Sequence, residues 1–187
     1  MVWLYGSGLL QNGVYNTDNV AALTGISVQS SDELKSAFYT ITQNTSFTVD
    51  SSLKQFGYGK LVTPAFFIDD SSAEVLGQFT ENKKPALARK KFASWMSVVL
   101  CSPRLNSDLI RALAEQAGVH IYARQNDGIY VNSAFAGYYA ITKGEKTITL
   151  PGKYTVIEYF SGRTIGENIN SFTDSFRQGE TKAYFYY

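Results

Sequence analysis

Cys101 is the only thiol in the sequence and His120 the only imidazole, so any nucleophile–base pair would have to be built from these two residues. A thiolate served by an imidazole can carry out acyl transfer when the cysteine sits on a tight strand-to-helix turn with small residues around it. Cys101 does close a strand-like run, Ser97-Val98-Val99-Leu100, ahead of a helix-like one, but its neighbours are Leu100, Ser102, Pro103 and Arg104, with no glycine among them. The residues favour a small buried side chain at a strand end. His120 has no second histidine beside it, so a metal site would have to be completed by carboxylates. A hydrogen-bonded residue at the junction of two modules is the expectation. No catalytic residue, metal ligand or cofactor site is assigned.

Three other groups of residues could do chemistry. Asp69, Asp70 and Glu74 follow Phe66-Phe67-Ile68. Paired carboxylates cleave glycosidic bonds when a cleft sets their separation and pKa values. Asp69 and Asp70 are adjacent, however, and adjacent strand residues point to opposite faces. Asp-Asp-Ser-Ser is also a turn-forming sequence, so a structural turn is expected, with a weak calcium site as the other reading. Lys83, Lys84, Arg89, Lys90 and Lys91 form a local basic run, read as a solvated face. If residues 86–92 are a strand, Arg89 and Lys91 share one side and can meet acids on a neighbouring strand. The aromatic set of the C-terminal third contains Tyr130, Phe135, Tyr138, Tyr139, Tyr154, Tyr159, Phe160 and the tail Tyr184-Phe185-Tyr186-Tyr187. Alternation puts about half of such a set inside a sandwich. Tyr138, Tyr154, Tyr184, Tyr186 and Tyr187 are the candidate carbohydrate or interface contacts, the four consecutive tail aromatics being too many for a core to enclose.

The elements that would position these groups fall into two modules, residues 1–118 and 119–187. In the first, residues 2–5 read as a buried strand. A short helix capped by Thr17 or Asp18 and closed by Gly25 follows. Residues 33–42 fit either a helix or a strand. Residues 46–51 alternate like an edge strand, and 65–68, 74–79 and 86–92 read as further strands. Residues 97–101 form a continuous apolar run of the kind found in parallel sheets. Residues 107–116 are the clearest helix, capped by Asn106 or Ser107, ended by Gly118, and striped with Leu109, Ile110, Leu113 and Ala114. An α/β module is therefore expected. In the second module, Asp127-Gly128, Lys143-Gly144, Pro151-Gly152 and Ser161-Gly162 separate segments rich in Tyr, Val, Ile, Thr and Phe, which describes an antiparallel meander.

Composition narrows the function. The chain has 187 residues, 44% hydrophobic and 18% charged, with net charge +1. A packed core is affordable, and nothing steers the protein toward nucleic acid or an anionic membrane. A lone cysteine forbids an internal disulfide. No apolar run is long enough to span a bilayer, and no signal peptide is visible, so the compartment stays open between bacterial cytoplasm and periplasm. A core strand beginning at the second residue suggests an expressed fragment or lost upstream sequence.

The segments WLYGSGLLQNG and NVAALTGISV, with LTGI, AEVLGQF, KPALARKKF and AGVHIY in that order, resemble the glutamine-amidotransferase-like, trimerisation-type domain of bacterial beta-galactosidase-like glycoside hydrolases (family 42-like). The segments GIYVNSAFAGYYAI and LPGKYTVIEYFSGRT are similar to the small β-sandwich that follows it. The resemblance implies a flavodoxin-like α/β first module with a partial parallel sheet between helices, truncated at its start and lacking amidotransferase chemistry. It also implies a catalytic barrel upstream. The expected function is non-catalytic assembly and support, with carbohydrate binding through exposed aromatics as the alternative. Expected partners are the chain's own upstream catalytic domain or sister subunits, in a homo-oligomer.

Overall fold

The computed structural model describes residues 1–31, 33–42 and 47–187. Among them it places fifteen strands and two helices, in two compact units, Met1–Ala112 and Leu113–Tyr187. The first unit runs β1 (Val2–Leu4), β2 (Leu10–Gln11), β3 (Val14–Tyr15), α1 (Thr17–Thr24), β4 (Val28–Ser31), β5 (Ala37–Ile41), β6 (Phe56–Tyr58), β7 (Ala65–Ile68), β8 (Glu74–Phe79), β9 (Pro85–Lys91) and β10 (Met96–Leu100). Helix α2 (Ser107–Gln116) crosses the boundary. The second unit holds β11 (Gly128–Val131), β12 (Phe135–Tyr139), β13 (Gly144–Glu158), β14 (Thr164–Phe176) and β15 (Thr181–Tyr186).

The first unit is not a flavodoxin-like parallel sheet between helices. Its six-stranded sheet has the order β1-β10-β9-β8-β5-β6, and only β1 and β10 are parallel. The reason lies in the connections. Parallel neighbours need a crossover of about a dozen residues or more. Here β8 turns into β9 within residues 80–84, where Phe79 and Lys84 pair through the backbone at 2.9 Å, and β9 turns into β10 where Phe92 N–H meets the Trp95 carbonyl at 2.8 Å. Such turns make hairpins. The ambiguous stretch 33–42 resolves as strand β5, because Ala37 and Tyr39 are enclosed between β6 and β8. The expected edge strand at 46–51 falls partly on Ser46, outside the described residues, and residues 47–51 carry no strand. Strand β1 is a half-open edge, with Val2 and Leu4 exposed, rather than the buried strand its apolar sequence suggests.

Local chemistry accounts for the two helices. Asn16, one residue before the expected caps, accepts the Asp18 amide at 2.9 Å and starts α1; Gly25, at φ 72°, ends it in the left-handed region. Asn106 caps α2 by accepting the Asp108 amide at 2.8 Å. The buried positions of α2 are Asp108, Leu109 and Ala112, while Ile110 of the expected stripe is exposed.

The second unit is one five-stranded antiparallel sheet of order β11-β12-β15-β13-β14. Pro151-Gly152 does not form a turn there. Both residues lie inside the long strand β13, where the register with β14 shifts between Thr149 and Tyr154. This irregularity bends the strand, and the sheet folds over its own core. Strands β12 and β14 are not neighbours in the sheet, yet Tyr138 packs 5.1 Å from Phe176. Ala136, Ile148, Leu150, Val156, Phe172, Tyr184 and Tyr186 complete the enclosed layer.

Candidate interaction surface

The groups with chemical potential are mostly consumed by the fold. Cys101 is 1% exposed, burial pushes its thiol far up, and its amide is bound to the Ala86 carbonyl. His120, in the second unit, donates from Nε2 to the Thr149 carbonyl at 2.9 Å and meets the Tyr122 ring edge-on. Several acidic and basic groups of the first unit pair with each other. Glu74 pairs with Arg89 at 2.8 Å across the β8–β9 register, and Asp70 with Lys90 at 3.0 Å. Asp69 accepts from Gln29, and Lys84 lies over the Phe67 ring at 3.8 Å. Burial opposes the charge of Asp70, but Ser72, Lys90 and the Ser27 amide outweigh it and hold its carboxyl far below the usual range. Asp69, Asp70 and Glu74 therefore each bind a different partner. Among the described residues no group of three or more His, Cys, Asp or Glu could hold a metal, and no helix is long and apolar enough to cross a membrane.

The candidate aromatics divide by strand parity. Tyr138, Tyr184 and Tyr186 point into the core, at 0%, 0% and 1% exposure. Their hydroxyls are tethered: Tyr138 donates to Asp127 at 2.8 Å, Tyr184 to Asp174 at 3.0 Å, and Tyr186 to the Asn132 carbonyl. Burial, reinforced by the neighbouring carboxylates, raises the first two phenols, and burial with Tyr122 nearby pushes Tyr186 up to about 12. Tyr154 is half-buried with its ring 5.1 Å from Tyr186. Tyr187 is exposed. Three of the five candidates therefore offer no ring face to a ligand.

The opposite face of the same strands carries a different set. The register places Phe135 opposite Phe185 and Phe185 opposite Ile157, with Tyr130 opposite Gly137 on the same side. The rings run in a chain: Phe135 to Phe185 at 5.6 Å, Phe185 to Tyr159 at 5.1 Å, Tyr159 to Phe160 at 5.4 Å, each pair edge-to-face at 65–75°. Tyr159 and Phe160 occupy the β13–β14 hairpin, which Glu158 holds in shape. Its carboxylate accepts from the Phe160 amide at 3.2 Å, the Ser161 amide at 2.8 Å and the Ser161 hydroxyl. Gly162, at φ 68°, closes the loop with a 2.9 Å bond to the Glu158 carbonyl. Burial disfavours the Glu158 charge, but these donors and nearby Lys182 prevail, so its pKa lies below the ordinary value. The Tyr159 amide, bound to the Ala183 carbonyl at 2.7 Å, fixes the hairpin against β15. Phe135, Tyr159, Phe160 and Phe185 are thus a positioned ridge. The register of the tail was the signal for it: residues 185 and 187 share one side, 184 and 186 the other.

No protein-family model matches the chain, and no curated protein matches it by sequence. Solved structures do match its fold. The whole chain superposes on part of the beta-galactosidase from Bacillus circulans sp. alkalophilus, with TM-score 0.65 and 16% identity, covering 29% of that protein. A GH42 beta-galactosidase from G. stearothermophilus matches 99% of the chain over 27% of its own length (TM-score 0.55, 13% identity). The beta-galactosidase from Rahnella sp. R3 matches 97% over 28% (TM-score 0.58, 12% identity). The fold is that of a beta-galactosidase-like domain, and the chain spans under a third of the length of these proteins.

Proposed function

We propose that the chain is a support module of a beta-galactosidase-like glycoside hydrolase, supplying packing surface to a catalytic domain or sister subunits rather than bond-breaking groups. The observation that carries this reading is the fate of the carboxylates. Glycoside hydrolysis needs two carboxyl groups facing a shared cleft. Here Glu158 is bound to its own hairpin, Asp127 to Lys146 at 2.9 Å and Asp174 to Lys182 at 3.1 Å, while Asp70 and Glu74 are held by Lys90 and Arg89. The likeness of the whole chain to less than a third of several beta-galactosidases fits a supporting part of a larger enzyme.

The test is to offer the purified 187-residue chain a chromogenic galactoside. No turnover is expected. Turnover that disappears in Glu158→Gln or Asp70→Asn would overturn the reading.

A further inference from the structure

We infer that Asn12 is a site of spontaneous covalent modification. In the folded chain its carboxamide closes onto the Gly13 amide and loses ammonia, leaving an isoaspartyl or aspartyl residue in the β2–β3 hairpin. This chemistry is independent of the support role.

Asparagine is among the chemically labile side chains, and it reacts with the backbone nitrogen that follows it. A following side chain obstructs that attack. Asn12-Gly13 is the only Asn-Gly in the sequence. A Cβ placed on Gly13 would meet nothing within 4 Å, so the space around the attacking residue is open.

Both reacting groups are also unengaged. Asn12 is exposed, and among the described residues neither its carboxamide nor the Gly13 amide makes a hydrogen bond. Other asparagines are occupied. Asn16, Asn82, Asn106 and Asn132 each accept, through Oδ1, the backbone amide two residues on, at 2.8–3.0 Å. These bonds hold the carboxamides in one orientation, and Thr17, Lys83, Ser107 and Ser133 follow them.

The turn must open for the ring to close. Asn12 and Gly13 lie at φ 51° and 79°, the left-handed pair that a two-residue hairpin turn requires. Little holds them there. Strands β2 and β3 have two residues each and pair only with each other. Leu10, Val14 and Tyr15 are 56%, 61% and 73% exposed, so they anchor the hairpin weakly. An isolated two-stranded hairpin is marginally stable. The turn therefore opens by local fluctuation while the rest of the first unit stays folded.

The step balances with water as the sole co-reactant. Gly13 N attacks Asn12 Cγ; the N–Cγ bond forms and the Cγ–Nδ2 bond breaks. Nδ2 departs as ammonia with the proton that Gly13 gave up, leaving a five-membered cyclic imide. Water then opens the ring. Attack at Cγ gives aspartate. Attack at the Asn12 backbone carbonyl carries the main chain through Cβ and Cγ as isoaspartate. Either product adds a carboxylate, which takes the net charge from +1 to zero. Isoaspartate also lengthens the backbone by one atom, which a two-residue turn does not absorb, so the Gln11–Val14 pairing is lost.

The experiment is incubation of the folded 187-residue chain in warm, mildly alkaline buffer, sampled over days by ion exchange. Isoaspartyl methyltransferase labelling and peptide mapping place the product. Gly13→Ala and Asn12→Gln run in parallel, with a parent sample unfolded in urea. Gly13→Ala restores a Cβ in open space, and circular dichroism checks its fold. Asn12→Gln would have to close a six-membered ring, a far slower reaction. An acidic form one charge lower should accumulate in the native parent, labelled on the peptide that holds residue 12. It should fall severalfold in Gly13→Ala and be lost in Asn12→Gln. No acidic form, a label on another asparagine, an equal yield in Gly13→Ala, or a product formed only in urea would each overturn the proposal. None of these outcomes touches the support reading, which falls to galactoside turnover.

Discussion

Replacing Lys146 by Met should cost the second unit about 3–5 kcal/mol, because it strands a charge in a nearly closed site. Lys146 Nζ lies 2.9 Å from Asp127 Oδ2, and the two side chains are 5% and 3% exposed. At an effective dielectric constant of about 20, charges this close attract by roughly 6 kcal/mol, most of which offsets their loss of hydration. Removing the ammonium forfeits the attraction and leaves the carboxylate's desolvation uncompensated. Asp127 keeps its bonds from the Tyr138 hydroxyl and the Ile141 amide, both 2.8 Å, which limits the damage but does not replace a counter-charge. Adding Asp127→Asn should recover about 2 kcal/mol, since the uncharged amide can still accept the Ile141 N–H through its oxygen and donate from its NH2 to the Tyr138 hydroxyl oxygen. Both tryptophans, Trp3 and Trp95, belong to the first unit, so their emission does not report on this network. Amide hydrogen exchange across β12 to β15 does. Lys146→Met should speed exchange there by about two to four orders of magnitude. The pH dependence supplies a second check. Burial raises the Asp127 pKa, but bonds from Lys146, Tyr138 and Ile141 more than reverse this, so the folded value is depressed. Its stabilisation is present above the unfolded carboxylate range and lost as pH falls through the folded pKa. Lys146→Met should flatten that acid loss. A cost below about 1 kcal/mol, typical of a hydrated surface pair, would refute the reasoning.

Glu158, Asp174 and Asp70 are depressed in the same sense, each by hydrogen bonds and a nearby lysine that overcome burial. The parent chain should therefore hold constant stability above about pH 5 and lose it progressively below about pH 4, as urea unfolding across that range would show. Gly25→Ala should destabilise by about 2–3 kcal/mol, since a Cβ there falls 2.3 Å from Phe92 Cζ on a backbone at φ 72°. Gly13→Ala, at φ 79° with nothing within 4 Å, should cost only the backbone strain of about 1 kcal/mol, and melting temperatures of the two variants measure the difference. Cys101 should resist a thiol-disulfide reagent in the native chain and react once unfolded in urea, because its thiol is enclosed and its pKa is raised by burial.

Much of the local structure was legible because it depends on neighbours in sequence. Helix α2 and the glycine stop of α1 follow from capping chemistry, and β8 and β9 from apolar patterning. The pairing of Arg89 with an acid across the hairpin followed from strand parity. Sheet direction departs from the parallel arrangement that the family resemblance implies, because the short links at 80–84 and 92–95 exclude a crossover. Pro151-Gly152 misled in another way. Proline and glycine mark a bulge as readily as a turn, and only pairing with β14 on both sides of them distinguishes the two. The candidate site suffered from mixed parity. Tyr184, Tyr186 and Tyr187 cannot all share one face of a strand, and anchoring the alternation on the small buried Ala136, which the register sets opposite Tyr184, separates Phe135 and Phe185 from the core face.

The two faces of this sheet also differ in kind. The inward tyrosines each bring a hydroxyl into the core and each has an acceptor: Asp127, Asp174 or the Asn132 carbonyl. They are explained by folding. Phe160 is 70% exposed at the tip of a hairpin whose shape comes from Glu158, Ser161 and Gly162. It buries little in the isolated chain, so it adds little to folding stability. Changing it to Asp should leave unfolding within about 0.5 kcal/mol of the parent. Any large effect of that substitution must then be felt by whatever covers the ridge. Substituting Tyr184 should behave in the opposite way, lowering stability directly through the lost ring and the freed Asp174. If Phe160→Asp unfolds the second unit, the hairpin ring is part of the core and the distinction between the two faces fails.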